Sequence, residues 1–322
     1  MSTLSNAIVR VDIVSAILNG ADYVSDLLRS IQAQSHSHWQ LWVRDDGSVD
    51  DTIAIVTAFA AADDRIRLLH RGGPPMGVAG AYGWLLQRLP ADSRYVMYAD
   101  HDDVWLPRKI ESTLAAMRAA EAEAPGPVLV HTDLVVVDKD LRKIHESFWT
   151  MSAIDPERVT LRRLIVRNVV TAPASMLNRD LCDRMGIMPT DAHDQDWWSA
   201  CVAVAFGRII ALREATILYR QHGHNSVGAK RDRMQWHEIP RAAVRALSET
   251  AHLRLHLART ARQAAAFLDR YEAELTDDDC RFLREYSHLP DLPFFRRKLQ
   301  VVRLRLRRDL GFWRNLGVLL RA

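Results

Sequence analysis

Cysteine is scarce in this chain: Cys182, Cys201 and Cys280 stand far apart among 322 residues. No two of them have metal-ligand spacing, and an odd, sparse count argues against a disulfide framework and suits a reducing compartment. Long apolar runs are missing as well, none approaching the ~20 residues that a membrane span requires. The opening residues, Met1-Ser-Thr-Leu-Ser-Asn6, lack the basic-then-apolar order of a secretory leader. The expectation is a cytoplasmic chain that is soluble or sits on a surface. Repeats and low-complexity segments are absent. What remains is ordinary globular composition, 48% hydrophobic and 26% charged, enough for one large domain and an appendage.

The net charge of +3 conceals an asymmetry. Residues 294–322 hold nine basic side chains against the single acid Asp309, so this tail carries +8 and the preceding 293 residues −5. Within the tail Phe295, Leu299, Val302, Leu306, Leu310, Trp313, Gly317 and Leu320 recur every three or four residues, forming one apolar stripe flanked by arginines. Such a helix suits the surface of an anionic bilayer, with packing on the protein or on a second subunit as the alternative. Nucleic acid is not expected as a partner, because the basicity is confined to this stripe.

Before the tail, strand and helix signals alternate. Residues 8–18 read as a buried strand ending at Asn19-Gly20, followed by a helix over 22–34. A short strand from Trp39 to Val43 stops at Asp45-Asp46-Gly47-Ser48, a helix covers about 50–61, and Ile66–Leu69 is the next strand. The glycine-rich segment 72–83 leads into a helix, and Tyr95–Tyr98 is a strand, as are residues 128–137. Residues 158–235 are mixed, and from about Trp236 the pattern is helical throughout. The alternation predicts an α/β fold with a mostly parallel sheet and helices on both faces, in a domain spanning 1–235, followed by a helical extension over 236–322. In such sheets ligands bind beyond the carboxyl ends of the strands, where both acidic turns lie.

The second turn is the most informative stretch. Tyr98-Ala-Asp-His-Asp-Asp-Val-Trp105 puts Asp100, Asp102 and Asp103 within four positions. Carboxylates packed this closely oppose one another's ionisation, and a divalent cation carrying a phosphorylated ligand would hold them together. The alternative is a solvated turn in which Asp103 caps the helix that Pro107 helps to start.

Several segments, taken in order, resemble the inverting family 2 glycosyltransferases, which have the GT-A fold and use nucleotide-activated sugars. They are Asn19-Gly20, Ser30-Ile-Gln-Ala-Gln34, Trp39-Gln-Leu-Trp-Val-Arg-Asp-Asp-Gly-Ser48 with Asp51-Thr52, and Ala99-Asp-His-Asp-Asp-Val-Trp105. Asp196-Trp197-Trp198 and Tyr219-Arg-Gln-His-Gly-His-Asn225 are similar to the rhamnosyltransferase-like branch, so the match covers about residues 9–229.

The resemblance implies a division of labour. Asn19 and Asp45 would belong to the donor-binding set, the alternative for Asp45 being a solvated side chain. Asp46 would accept a hydrogen bond from the imide N–H of uracil or thymine, the alternative being a local Asx-turn. Asp100 falls to the ribose side and Asp102 to Mg²⁺ or Mn²⁺, which would bridge the donor's phosphates and stabilise the leaving diphosphate. His222 would complete the coordination, and Arg220 would grip phosphate oxygens bidentately. His224 and Asn225 are weaker candidates. Asp196 is the implied base that deprotonates the acceptor hydroxyl, with Asp194 as its rival.

The chain departs from the family pattern in three places. Gln195 occupies the histidine position of His-Asp-Trp-Trp, residues 16–19 replace a Thr-Tyr-Asn ending, and Ala172-Pro173 stands where many relatives have Gly-Cys. The expected function is metal-dependent transfer of L-rhamnose from dTDP-rhamnose to a bacterial surface glycan on a lipid carrier, such as an O-antigen precursor. The site of action would be the cytoplasmic face of the inner membrane, with homo-oligomerisation left open. The rivals are a UDP-hexose donor, a phosphohydrolase or phosphotransferase using the Asp-X-Asp pair, and a non-catalytic sugar-nucleotide-binding protein.

Overall fold

A computed structural model describes residues 9–71, 74–222 and 239–304, with side chains in the last segment from 254 onward. His224, Asn225 and the tail beyond residue 304 lie outside the described residues.

One mixed sheet forms the centre. Its strands are β1 (Val11–Ile17), β2 (Trp39–Asp45), β3 (Ile66–His70), β4 (Tyr95–Tyr98), β5 (Val104–Trp105), β6 (Val128–Asp138), β7 (Lys143–His145), β8 (Ser175–Asn178) and β9 (Arg208–Gln221). They lie in the order β3-β2-β1-β4-β8-β6-β9-β5, with β7 on the outside of β6. Strands β1 to β4 are parallel, as expected. Short β8 runs antiparallel to both β4 and β6; beyond it β6 and β9 are parallel, while β5 and β7 pair antiparallel with β9 and β6.

The helices are α1 (Val24–Gln32), α2 (Thr52–Ala62), α3 (Gly77–Leu86), α4 (Lys109–Glu123), α5 (Phe148–Met151), α6 (Leu161–Val166), α7 (Arg179–Met185) and α8 (Gln195–Phe206). After them come α9 (Ile239–Tyr271), α10 (Asp277–Ser287) and α11 (Phe294–Arg303). Alternate strand residues feed two cores. Val14, Val96, Tyr98, Leu129 and Leu177 pack on the face covered by α3, α8 and α9. Ile13, Tyr95, Met97, Val130 and Met176 pack on the face covered by α1 and α4. This period-two sorting follows from the pleat, which sends successive side chains to opposite faces.

Register sets the site. Ile17 pairs with Asp45 and Val14 with Tyr98, so β2, β1 and β4 end side by side. The backbone N–H of Asp46 donates to the Ile17 carbonyl (2.8 Å) and that of Ala99 to the Val14 carbonyl (2.9 Å). The two acidic turns, 45–46 and 100–103, therefore share one rim.

Candidate active site

At the end of β1 the chain turns through Asn19, whose φ of +50° is one that asparagine tolerates better than most residues. The Asn19 N–H donates to Ser48 Oγ (2.8 Å) and its Oδ1 accepts from the Val49 N–H (2.9 Å). The Gly20 N–H donates to Thr52 Oγ1 (2.8 Å). Asn19 thus braces the loop after β2. A Cβ on Gly20 would lie 2.5 Å from His101 Cδ2, in the middle of the second acidic turn. Gly20→Ala is expected to push His101 aside, lowering stability by about 1–3 kcal/mol and weakening nucleotide binding. Thermal denaturation together with a nucleotide titration measures both.

The carboxylates of the first turn divide their tasks. Asp45 accepts from the N–H groups of Gly47 and Ser48 (both 3.1 Å), so the Asx-turn belongs to Asp45. Asp46 is 4% exposed. It accepts from Arg44 Nε and Nη2 (3.2 Å) and from the N–H groups of Met76 and Gly77 (3.0 Å), tying β2 to the start of α3. This differs from the expectation of an acceptor left open for a base: a buried carboxylate beside Arg44 draws in every nearby donor.

In the second turn Asp100 Oδ1 lies 2.8 Å from the Tyr82 hydroxyl. Burial first, and then the neighbouring Asp102, push the Asp100 carboxyl up to about 7. Asp102 Oδ2 lies 2.9 Å from His222 Nε2, and the His222 ring stacks on Tyr23 at 4.9 Å. Asp103 is fully buried, and its Oδ1 accepts from the Arg220 N–H (3.1 Å). Burial and the two flanking carboxylates hold Asp103 well above the usual carboxylate range.

Arg220 is engaged by acceptors of the protein. It is 3% exposed and donates to the carbonyls of Asp102 (2.8 Å) and Lys139 (2.6 Å) and to Asp26 Oδ2 (2.9 Å). A guanidinium placed under the acidic loop satisfies its carbonyls in preference to facing solvent. These contacts brace the Asp102 backbone from beneath.

Asp196 lies in the first turn of α8, across the rim. Its Oδ2 accepts from the Ala172 N–H (2.9 Å) and its Oδ1 from the Trp197 N–H (2.6 Å). Burial first, then Asp194, and more weakly Asp100, oppose its ionisation and raise it to about 8. Asp194, in turn, bears on Asp100. Asp100 thus feels the charges of both Asp102 and Asp194, and Asp196 those of Asp194 and Asp100, so the second acidic turn lies near the start of α8. Asp194 sits 2.7 Å from His193 Nδ1.

Sequence reasoning missed Tyr82, Tyr23 and His193 as members of the site. It also missed that the unusual Ala172-Pro173 segment supports the Asp196 carboxylate. Only the His193-Asp194 order carried a local signal, since the other contacts join distant segments.

Asp102 and His222 supply one hard oxygen and one imidazole nitrogen. Their 2.9 Å separation matches two adjacent ligands of an octahedral ion, about 3 Å apart for bonds of ~2.1 Å. Among the described residues no three His, Cys, Asp or Glu side chains form a closed metal centre. The pair would suit an open site, with any further ligands supplied from outside the protein.

The glycosyl transferase family 2 model matches residues 12–186, more than half of the chain. The chain belongs to this family. This chain shares 33% identity over 131 residues with the putative teichuronic acid biosynthesis glycosyltransferase TuaG of Bacillus subtilis, covering 40% of this chain and 51% of that one. It shares 33% over 107 residues with WfgD of Escherichia coli, a UDP-Glc:alpha-D-GlcNAc-diphosphoundecaprenol beta-1,3-glucosyltransferase, covering 33% and 40% of the two chains. The matches thus span about half or less of these relatives' lengths. Among solved structures, Staphylococcus aureus TarS 1-349 in complex with UDP-GlcNAc superposes with a TM-score of 0.54 at 14% identity, over 97% of this chain and 89% of that one. The mannosyltransferase PcManGT of Pyrobaculum calidifontis, in complex with GDP-Man and Mn²⁺, gives 0.54 at 16% identity, over 97% and 78%. These likenesses establish the GT-A fold.

Proposed function

We propose that this family 2 enzyme transfers a sugar from a nucleoside diphosphate donor with inversion, Asp196 serving as the base. The observation that carries the reading is the pairing of Asp102 with His222 on the acidic turn, with Asp196 close enough to feel the charge of Asp100. Asp102 and His222 would hold Mg²⁺ or Mn²⁺, which supplies Lewis-acid stabilisation of the departing diphosphate when bound. Asp100, steadied by Tyr82, faces the ribose side, and Asp46 with Asp45 and Asn19 shapes the nucleobase end of the rim. Asp196, deprotonated, takes the proton of the acceptor hydroxyl as that oxygen attacks the anomeric carbon from the side opposite the leaving group. The Ala172 and Trp197 N–H groups aim its carboxylate.

The donor is dTDP-L-rhamnose on the strength of the Asp196-Trp197-Trp198 resemblance. UDP-hexose is the second reading, favoured by the UDP-Glc named for WfgD and the UDP-GlcNAc bound to TarS. A panel of nucleotide sugars with Mn²⁺, read by thermal shift and by release of dTDP or UDP, separates them; no response to any donor would sink the proposal.

The acceptor is a bacterial surface glycan on a lipid carrier, met at an anionic bilayer. Among the described residues no helix is long and apolar enough to cross a membrane. Helix α11 supports a docking role instead. Phe295, Leu299 and Val302 lie on one stripe and are 83%, 70% and 56% exposed, while Val301 (6%) faces the protein. Arg296 and Arg303 are exposed beside the stripe, and the helix carries no acid. Replacing Phe295, Leu299 and Val302 together by serine is expected to reduce binding to phosphatidylglycerol vesicles at least tenfold. Each lost apolar contact is worth about 1.5–3 kcal/mol, and turnover of a soluble acceptor should persist. Unchanged vesicle binding in a flotation assay would remove the membrane from the picture.

A further inference from the structure

Helix α9 touches the segment that carries Asp196 more closely than a mere appendage requires. The His193 N–H donates to Gln263 Oε1 (2.8 Å), a side chain on α9 that is fully buried. The His193 ring lies 4.7 Å from that of Trp197 and 6.0 Å from that of His256, again on α9. His256 Nε2 lies 3.3 Å from the Val166 carbonyl, and Trp197 Nε1 donates to the Leu164 carbonyl. Residues 193–197 are thereby held between α6 and α9.

The choice of glutamine at 263 is informative. Its neighbours on α9, Ala261, Ala264 and Phe267, are apolar and almost fully buried. Gln263 Nε2 has no hydrogen-bond partner among the described residues. An unsatisfied buried amide N–H carries a desolvation cost, so an apolar residue would serve stability better there. What the amide does provide is one acceptor, aimed at the backbone three residues before Asp196.

We infer that Gln263, on the helical extension, is a positioning residue for transfer: by holding the His193 backbone it sets the start of α8 and hence the direction of the Asp196 carboxylate. The extension then belongs to the catalytic apparatus. This rests on the reading of Asp196 as base. A displacement of about 1 Å at a reacting group can cost on the order of 100-fold in rate, so loss of the single acceptor should register mainly in kcat.

The experiment compares Gln263→Leu, Gln263→Glu and Phe267→Leu in the full chain, measuring kcat, the donor KM and Tm. Phe267 packs on Trp198 at 5.3 Å on the same interface but makes no bond to His193. The expected result is a kcat at least tenfold lower in Gln263→Leu with the donor KM within twofold. Gln263→Glu, which keeps an oxygen acceptor, should recover most of the loss, and Phe267→Leu should lower Tm alone. Wild-type kcat in Gln263→Leu, or an equal kcat loss in Phe267→Leu, would overturn the inference. Should the leucine variant fail to fold, Gln263→Met supplies the same comparison. Retained transfer by an Asp196→Asn enzyme would instead refute the base assignment, a separate failure.

Discussion

Asp196→Asn is expected to lower kcat by at least 10³-fold while the affinity for nucleotide changes by less than threefold. General-base catalysis contributes roughly 10²–10⁴-fold, and an amide cannot take the acceptor's proton. Asparagine keeps the shape and one oxygen to accept from the Ala172 N–H, so the fold should survive. The pH dependence supplies a second check. The Asp196 carboxyl is raised to about 8 by burial and by Asp194 and Asp100, and the proposed base must be ionised to accept a proton. Turnover should therefore rise with pH and level off above about 8. Stability should move the other way. A carboxyl raised above its unfolded value stabilises fully below about 4, and this contribution is lost as pH climbs through the folded value. Asp196→Asn should flatten that part of the stability curve, and calorimetry from pH 4 to 9 tests it. Parallel loss of nucleotide binding would make Asp196 structural.

The second large effect concerns Asp102. Asp102→Ala, or EDTA on the unmodified enzyme, should reduce transfer by about 10²–10³-fold, a few kcal/mol of Lewis-acid stabilisation. Mn²⁺ should restore the chelated enzyme and leave the alanine variant inactive. His222→Ala should fall between, because Asp102 keeps one ligand and the donor phosphates keep theirs. The buried Asp103 and Arg220 beneath the loop are untouched, so a folding defect should not confuse the result. Full activity in EDTA would end the metal's role and leave Asp102 as a partner of His222 only.

Much of this was legible in the chain itself. Strands β1, β2 and β4 were readable from buried runs, and both acidic turns from their Asp-rich ends, because these are local signals of period and turn chemistry. Parallel neighbours with aligned ends then bring the turns together, as Ile17 opposite Asp45 and Val14 opposite Tyr98 demonstrate. Local patterning could not reveal how individual side chains would be spent. Asp46 and Arg220 also have protein partners far away in sequence, Met76 and Gly77 for one and Asp26 and Lys139 for the other, which no local pattern announces. The reversed strand β8 was equally hidden, since four residues are too few for their direction to be written in periodicity.

The tail illustrates the same division. Its apolar stripe was plain from spacing, whereas its outward direction at Phe295, Leu299 and Val302 emerged only from the packing of Val301 beneath. The amino-acid sequence by itself determined the family, the α/β framework and the acidic corners, for these rest on contacts between near neighbours and on the pleat. Tertiary structure alone decided which carboxylates keep company with protein donors, which helix supports Asp196, and which face of α11 is bare. Those outcomes depend on long-range burial, where a charge or amide takes whatever partner the fold places within reach.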